Sequence, residues 1–220
     1  MINKLSSFAF LVLADGTVLE GFGFGARGLV VGEVVFNTGT TGYQEVLTDP
    51  SYFGQLVTFT FPELGNTGVN SSDQESSKPS VKGVLVRQFT KEPSNWRSED
   101  SLENWLLTNG VIGIYGIDTR ALVRHLREFG SMNGAICSDG SYSPQQLLEK
   151  LKELPSMEGM NLAREVSTKK TYIWNNLSDV SFDQRNQSKK ENPYKVIAID
   201  FGIKKSILER LVAHGCQVEV

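Results

Sequence analysis

The sequence predicts a mixed α and β protein. An α+β domain is expected over residues 1–154, a connection over 155–193, and the opening βαβ unit of a doubly wound parallel sheet over 194–220. Three observations carry this. Eighteen of the 21 glycines precede residue 141, interleaved with Val, Ile, Phe and Thr runs, a pattern of short strands and tight turns. Well-capped helical patterns there are fewer than strand-like runs, so helices are expected to cover a sheet rather than alternate with its strands. After residue 193 the order changes to a continuously apolar strand, a turn, a helix and the start of another strand.

The first segment, "MINKLSSFAFLVLADG", carries one lysine and a short apolar run, as a signal peptide would. Asp15-Gly16 follows at once, then the apolar-alternating "TVLEGF", and an Asp-Gly pair between two strand-like runs signals a hairpin. Strands are expected at 8–14, 17–22, 32–37, 55–61, 81–87 and 111–117, with a short one ending at Cys137. The run Phe8 to Leu13 is continuously apolar and should be buried on both faces, whereas "QLVTFTF" alternates as a strand with one wetter face would.

Caps mark the helices. "SEDSLENWLLTNG" offers Ser98 as N-cap and Gly110 as stop. "DTRALVRHLREFG" offers Asp118 as N-cap, an apolar face of Leu122, Leu126 and Phe129, and Gly130 beyond its end. "SPQQLLEKLKELP" has Ser143 as cap, Pro144 at the first helical position, Gln146 completing a capping box, and Pro155 forbidding continuation.

The connection contains "DQRNQSKKEN", residues 183–192, with no apolar residue, while Tyr172 and Trp174 upstream are expected to anchor against a folded surface. Beyond it, "KVIAID" is a strand, "FG" a turn, and "IKKSILERLVAHG" a helix with Ile203, Ile207, Leu208, Leu211 and Val212 at helical spacing. An apolar parallel strand at 196–199 needs covered faces and neighbouring strands. The chain is therefore expected to be part of a longer protein, the alternative being that 194–220 docks on the first domain as one extra layer.

Composition excludes several functions. A net charge of -3, from 22 basic and 25 acidic residues, argues against nucleic-acid binding. No run approaches the roughly 18 apolar residues of a membrane helix. Cys137 and Cys216 make no disulfide framework and read as reduced, structural thiols of a cytoplasmic protein. His125 and His214 sit in helical patterns without ligand spacing, and no metal site is expected. "GFGARG", residues 23–28, matches G-x-G-x-x-G but leads into a strand, not a helix, so it reads as a turn or bulge.

Three places remain. The polar stretch "GEVVFNTGTTGYQEVLTDPSY", residues 32–52, ends in Asp49-Pro50-Ser51, either a plain turn or a presentation of the Ser51 hydroxyl and N–H to a ligand carboxylate. "PELGNTGVN", 62–70, is a glycine loop. Asp200-Phe201-Gly202-Ile203-Lys204 lies past the carboxyl end of the apolar strand, the edge where open α/β sheets bind ligands, and Lys204 there is either a solvated helix-start lysine or a charge aimed into a site.

"GEVVFNTGTTGYQEVLTDPSY", "TFTFPELGNTGVN", "ESS", "GIDTRALVRHLRE", "MNGAI" and "IDFGIKKSILERL", in this order and spacing, resemble the small, glutamine-hydrolysing subunit of carbamoyl phosphate synthetase over essentially the whole chain. The resemblance implies a three-layer β/β/α swivelling domain followed by a class I glutamine amidotransferase domain. A Cys–His–Glu triad there releases ammonia from glutamine through a thioester. A large subunit then uses the ammonia, bicarbonate, ATP and Mg to make carbamoyl phosphate for pyrimidine and arginine synthesis. By position, Ser51 corresponds to the serine that reaches glutamine across the domain interface, and Lys204 to a supporting lysine near the same site. The polar groups of 32–52 are then expected to brace Ser51. The triad falls beyond Val220, so these residues alone are expected to bind no cofactor and not to hydrolyse glutamine. The competing readings are a non-catalytic docking or scaffold module that keeps the N-terminal fold, and an independent hydrolase using Ser51.

Overall fold

The structure, a computed structural model, describes residues 8–155, 157, 159–176 and 193–220. Residues 1–7 of the signal-like segment and the polar run 183–192 lie outside the described residues.

β1 (Phe8–Leu13) and β2 (Val18–Gly25) form the expected antiparallel hairpin. Its turn is held by the Thr17 N–H donating to Asp15 Oδ1 at 2.9 Å and by Gly16 at φ 92°. There follow β3 (Leu29–Asn37), α1 (Tyr43–Thr48), a single 3-10 turn at Pro50–Tyr52, β4 (Gln55–Phe59), β5 (Glu63–Leu64), β6 (Gly83–Leu85) and β7 (Gln88–Phe89). Next come α2 (Leu102–Thr108), β8 (Ile112–Tyr115), α3 (Thr119–Phe129), β9 (Met132–Cys137) and α4 (Pro144–Glu153).

Seven strands close into a barrel in the order β1-β2-β8-β6-β4-β3-β9. The run β3, β4, β6, β8 is parallel and the remaining pairs are antiparallel. The short strand expected to end at Cys137 is the closing one, since β9 pairs with both β1 and β3. Closure leaves no edge in this sheet. It also corrects the wetter face expected for residues 55–61: β4 lies between two parallel neighbours, and Leu56, Val57, Thr58 and Phe59 are all buried. Leu56 points into the barrel with Leu11, Val34, Leu85, Ile114 and Ile136, where Leu122 and Leu126 of α3 join them. Val57 and Phe59 face an outer layer built from α1, α2 and β5. A third cluster seats Leu147 and Leu151 of α4 on Phe10, Val12, Ala135 and Cys137, which buries β1 on both faces from Ala9 to Leu13; Phe8, expected to be buried with them, is 55% exposed at the strand's start.

Two cap expectations hold and two details of the helices change. Asp118 caps α3, and Ser143 with Gln146 forms the capping box of α4. Ser98 does not cap α2. Residues 99 and 100 are drawn into backbone hydrogen bonds with Val69, so the helix starts later and Ser101 accepts from the Asn104 N–H. Phe129 is 62% exposed, beyond the reach of the barrel, and packs on His125 at 4.8 Å between ring centroids. His125 is not a free surface residue, because its Nε2 lies 2.5 Å from Asp15 Oδ2 on the hairpin turn.

The stretch expected to be a connection contains α5 (Leu162–Val166) and β10 (Ile173–Trp174). β10 pairs antiparallel with β12 (Gln217–Glu219), which pairs in parallel with β11 (Lys195–Ile197). Tyr172 and Trp174 therefore anchor on this smaller sheet, with Tyr172 and Val220 exchanging both backbone hydrogen bonds. α6 (Lys205–Ala213) buries Leu208 against Val218 and Val220. The other side of the apolar strand is uncovered: Ile197 is 78% exposed and Ile199 74%. Cys216, expected to be buried, is half-buried at the start of β12. Among the described residues, no helix is long and apolar enough to cross a membrane.

Candidate functional site

The polar stretch 32–52 has two jobs, and the larger one differs from expectation. α1 starts after Gly42, at φ 76°, and its side chains grip the loop that follows β5. Gln44 forms a reciprocal pair with the Asn70 backbone, donating Nε2 to the carbonyl at 2.6 Å and accepting the N–H at 2.9 Å. The Tyr43 hydroxyl donates to the Gly68 carbonyl. Thr48 Oγ1 accepts the Glu75 N–H at 2.9 Å, while the Thr48 carbonyl accepts from the hydroxyls of Ser76 and Ser80. Most of these groups thus fix residues 66–80 onto α1 and do not brace Ser51. A buried polar group without a partner costs about 1–3 kcal/mol, which is why a loop this polar can lie against a core only when each group is matched.

The second job falls to Asp49, 4% exposed. Its Oδ1 accepts the Ser51 N–H at 2.9 Å and its Oδ2 lies 2.6 Å from Lys204 Nζ. One carboxylate therefore joins the two residues singled out from the sequence. The Ser51 N–H is taken up within the turn and is not on offer to a ligand; what Ser51 presents is its hydroxyl, on an exposed residue. Tyr52, the last residue of the turn, accepts from Asn37 Nδ2 at 2.9 Å, so the end of β3 does hold the turn from the other side. The Lys204 side chain is 40% exposed. Its pKa is raised above 10.5, by the hydrogen bond to Asp49 first, against some burial, and by the further negative charge of Asp49 and Glu75. Lys204 is a cation at any physiological pH.

Lys204 reaches Asp49 because the loop before α6 is tightly wound. Asp200 Oδ1 accepts the N–H groups of Gly202 and Ile203 at 2.7 and 2.8 Å, and its Oδ2 accepts the Thr168 N–H at 2.7 Å. Gly202 sits at φ 99°, and a Cβ there would lie 2.9 Å from Val166 Cγ2 and 3.1 Å from Pro50 Cβ. The glycine lets the 200–204 loop touch the Pro50 turn itself. A cleft of about 500 Å³ opens beside this contact, bordered by Pro50, Glu75, Val166, Tyr172, Asp200 and Lys205.

No described thiol or imidazole belongs to this site. Cys137 is buried beneath α4, its Sγ 3.3 Å from Asp139 Oδ1, and Cys216 follows α6. His125 is held by Asp15, and His214 Nδ1 lies 2.8 Å from the Arg210 carbonyl. No cluster of three His, Cys, Asp or Glu suited to a metal occurs among the described residues. Two participants escaped the sequence reading. Asp49 was legible only as the opening of an Asx turn, and Glu75 stands in a polar run with no local periodicity to mark it.

Residues 11–136 match the family described as carbamoyl-phosphate synthase small chain, CPSase domain. The carbamoyl phosphate synthase small chain of Parasynechococcus marenigrum is 62% identical over 220 residues, 100% of this chain and 57% of that protein. The small chain of Synechocystis sp. is 54% identical, covering 96% of this chain and 56% of that one, and that of Thermosynechococcus vestitus is 53% identical with the same coverage. Among solved structures, an aminopeptidase from Aneurinibacillus sp. strain AM-1 has a TM-score of 0.33 at 16% identity, over 62% of this chain and 31% of that one, a likeness too slight to bear on the fold. The chain spans a little over half the length of these curated relatives. On the family match and these identities, the chain belongs to the carbamoyl-phosphate synthase small chain family.

Proposed function

We propose that this chain supplies one wall of a glutamine site in a small subunit that hydrolyses glutamine and delivers ammonia to a large subunit. The large subunit makes carbamoyl phosphate from ammonia, bicarbonate and ATP with Mg, in the cytoplasm. In this reading the barrel domain is the swivelling β/β/α domain of the family, and residues 194–220 open a doubly wound amidotransferase domain. The exposed apolar side of β11 supports that assignment, since a parallel strand of this kind is normally covered on both faces.

The observation that carries the reading is the Asp49 bridge. Asp49 immobilises the Ser51 turn through the Ser51 N–H and holds the Lys204 ammonium next to that turn. Ser51 then contributes a rigidly presented hydroxyl, and Lys204 a cation beside it, which together suit the polar and anionic groups of an amino-acid substrate. Neither group can form a thioester, so the nucleophile belongs to the part of the relatives that this chain does not span. The buried Cys137, and Cys216 at the far end of α6, are excluded as that nucleophile by position.

The test uses the full-length small chain with its large partner. Ser51→Ala should raise the KM for glutamine while leaving the rate with supplied ammonia unchanged. Residues 1–220 alone should release no ammonia from glutamine. An unchanged glutamine KM would favour the alternative of a docking module without a substrate role. Turnover by the isolated 220 residues that Ser51→Ala or Cys137→Ala abolished would refute the placement of the chemistry.

A further inference from the structure

We infer that Glu75 is a positioning residue for this site: it caps α6 from the barrel domain and so sets where Lys204 stands relative to the Ser51 turn. The inference rests on the glutamine-site reading above and adds a residue that lies outside the Asp49 bridge.

α6 begins badly by its own sequence. Its N-cap position is Lys204, which makes no side-chain cap, no acid occupies its first turn, and a second cation, Lys205, stands at its first helical position. The exposed N–H groups and positive dipole end of a helix call for an acceptor and a negative charge. Both are supplied by a residue remote in sequence. Glu75 Oε2 accepts the Ser206 N–H at 2.9 Å, Oε1 accepts the Ser206 hydroxyl at 2.8 Å, and the Glu75 carbonyl accepts the Lys205 N–H at 2.9 Å. This capping geometry, normally made within one helix, is here made between α6 and the loop that follows β5.

Glu75 is in turn tied to the Ser51 turn. Its own N–H donates to Thr48 Oγ1 at 2.9 Å, and the adjacent Ser76 hydroxyl donates to the Thr48 carbonyl at 2.7 Å. Thr48 precedes Asp49. Two connections therefore run in parallel between the same segments: Thr48 to Glu75 to Ser206, and Ser51 to Asp49 to Lys204. Between them Gly202 lies against Pro50. A flexible, 40% exposed lysine cannot by itself fix the distance between two segments, because its ion pair is screened and its side chain must be ordered to form it. The two bonds of Glu75 to backbone N–H groups, with a third to the Ser206 hydroxyl, can. The residue is not proposed to touch substrate; it acts through the placement of Lys204 and of the 200–204 loop.

The experiment again uses the full-length small chain with its large partner. Glutamine KM, kcat and the ammonia-supported rate are compared for Glu75→Ala, Glu75→Gln, Ser206→Ala and Ser51→Ala. Loss of a charged cap should raise the glutamine KM about tenfold in Glu75→Ala, with the ammonia-supported rate and kcat within about twofold of the parent. Glu75→Gln, which keeps an oxygen for the Ser206 N–H, should recover most of the loss. Ser206→Ala, which removes one of the bonds from the other side and leaves residues 66–80 untouched, should raise KM by about threefold, and it stands in if Glu75→Ala does not assemble. An unchanged KM in Glu75→Ala or, where that variant is not recovered, in Ser206→Ala overturns the inference. So does a parallel fall of the glutamine- and ammonia-supported rates, which marks a general structural role. Ser51→Ala keeps the two claims apart: if it leaves KM unchanged, the site reading itself fails, whereas a raised KM there beside an unchanged KM in Glu75→Ala defeats only the role of Glu75.

Discussion

Gly202→Ala should separate the 200–204 loop from the Pro50 turn while leaving the barrel intact. Two costs combine. At φ 99° a residue with a Cβ is strained, by roughly 1–2 kcal/mol. The new methyl would also stand 2.9 Å from Val166 Cγ2 and 3.1 Å from Pro50 Cβ, overpacking that costs about 1–3 kcal/mol. Resisting movement are the Glu75 bonds to Lys205 and Ser206, about 0.5–1.5 kcal/mol each, and the Lys204–Asp49 pair, which with Lys204 40% exposed contributes at most about 1 kcal/mol. The strain is comparable to these local restraints and lies outside the core clusters of the barrel, so the loop should loosen rather than the whole chain unfold. Amide hydrogen exchange reads this directly. The N–H groups of Gly202 and Ile203, held by Asp200, and those of Lys205 and Ser206, held by Glu75, should exchange faster, while the amides of β1, β3 and β9 keep their protection. Gly140→Ala is the control: at φ 73° it carries similar backbone strain, but nothing lies within 4 Å of its added Cβ. If Gly202→Ala and Gly140→Ala behave alike, steric exclusion at Pro50 is not what Gly202 provides. If exchange at residues 202–206 is unchanged, the close approach of the two segments is refuted.

Two further substitutions follow from the described contacts. Thr58 is fully buried in β4, and its Oγ1 has no hydrogen-bond partner among the described residues. Thr58→Val keeps the shape and removes the desolvated hydroxyl, so the thermal midpoint should rise by about 2–4 °C for a gain near 1 kcal/mol, read by calorimetry; a lower midpoint would show the hydroxyl to be satisfied. Glu45, in the first turn of α1, has its pKa raised above 4.5 by burial, reinforced by the charges of Asp73 and Glu75 and opposed by its own backbone N–H and Arg97. A carboxylate with a raised folded pKa destabilises the fold once ionised and ceases to do so as pH falls through that pKa. Glu45→Gln should therefore unfold at higher urea than the parent at neutral pH, and the difference should shrink towards and below pH ~4.5; a difference independent of pH would assign the gain to something other than charge.

The elements with local determinants were legible. Asp15-Gly16 dictates its turn through a side-chain bond and a positive φ, and Ser143, Pro144 and Gln146 satisfy the start of α4 within one turn of chain. What was not legible depends on neighbours. "QLVTFTF" reads as half-wet because Thr58 and Thr60 alternate with apolar residues, yet β4 is flanked by β3 and β6 and covered on both faces, so the alternation does not report exposure there. The capping position of α2 moved from Ser98 to Ser101 because Val69 competes for the backbone of residues 99 and 100. Barrel closure through β9 is likewise a tertiary fact: no turn or cap in "MNGAIC" encodes pairing on both sides at once.

The candidate site divides in the same way, and the division bears on how it works. Ser51 and Lys204 could be singled out because each lies at the end of a recognisable local unit, an Asx-Pro turn and a strand–turn–helix edge. The residues that bring them together, Asp49 and Glu75, each act on chain remote from their own position, and neither carries a local signature of that role. Both are carboxylates that spend their oxygens on backbone N–H groups as well as on a side chain: Asp49 on Ser51 and Lys204, Glu75 on the backbone and hydroxyl of Ser206. That choice sets geometry more tightly than an ion pair between two flexible side chains would, since a backbone donor has no rotamer of its own to adopt. A substrate site assembled from two domains needs such fixed points more than it needs affinity between the domains. The half-exposed Lys204, paired with Asp49 through one of its three N–H donors, keeps the others to answer a ligand, while the backbone-directed bonds of Asp49 and Glu75 hold the frame around it.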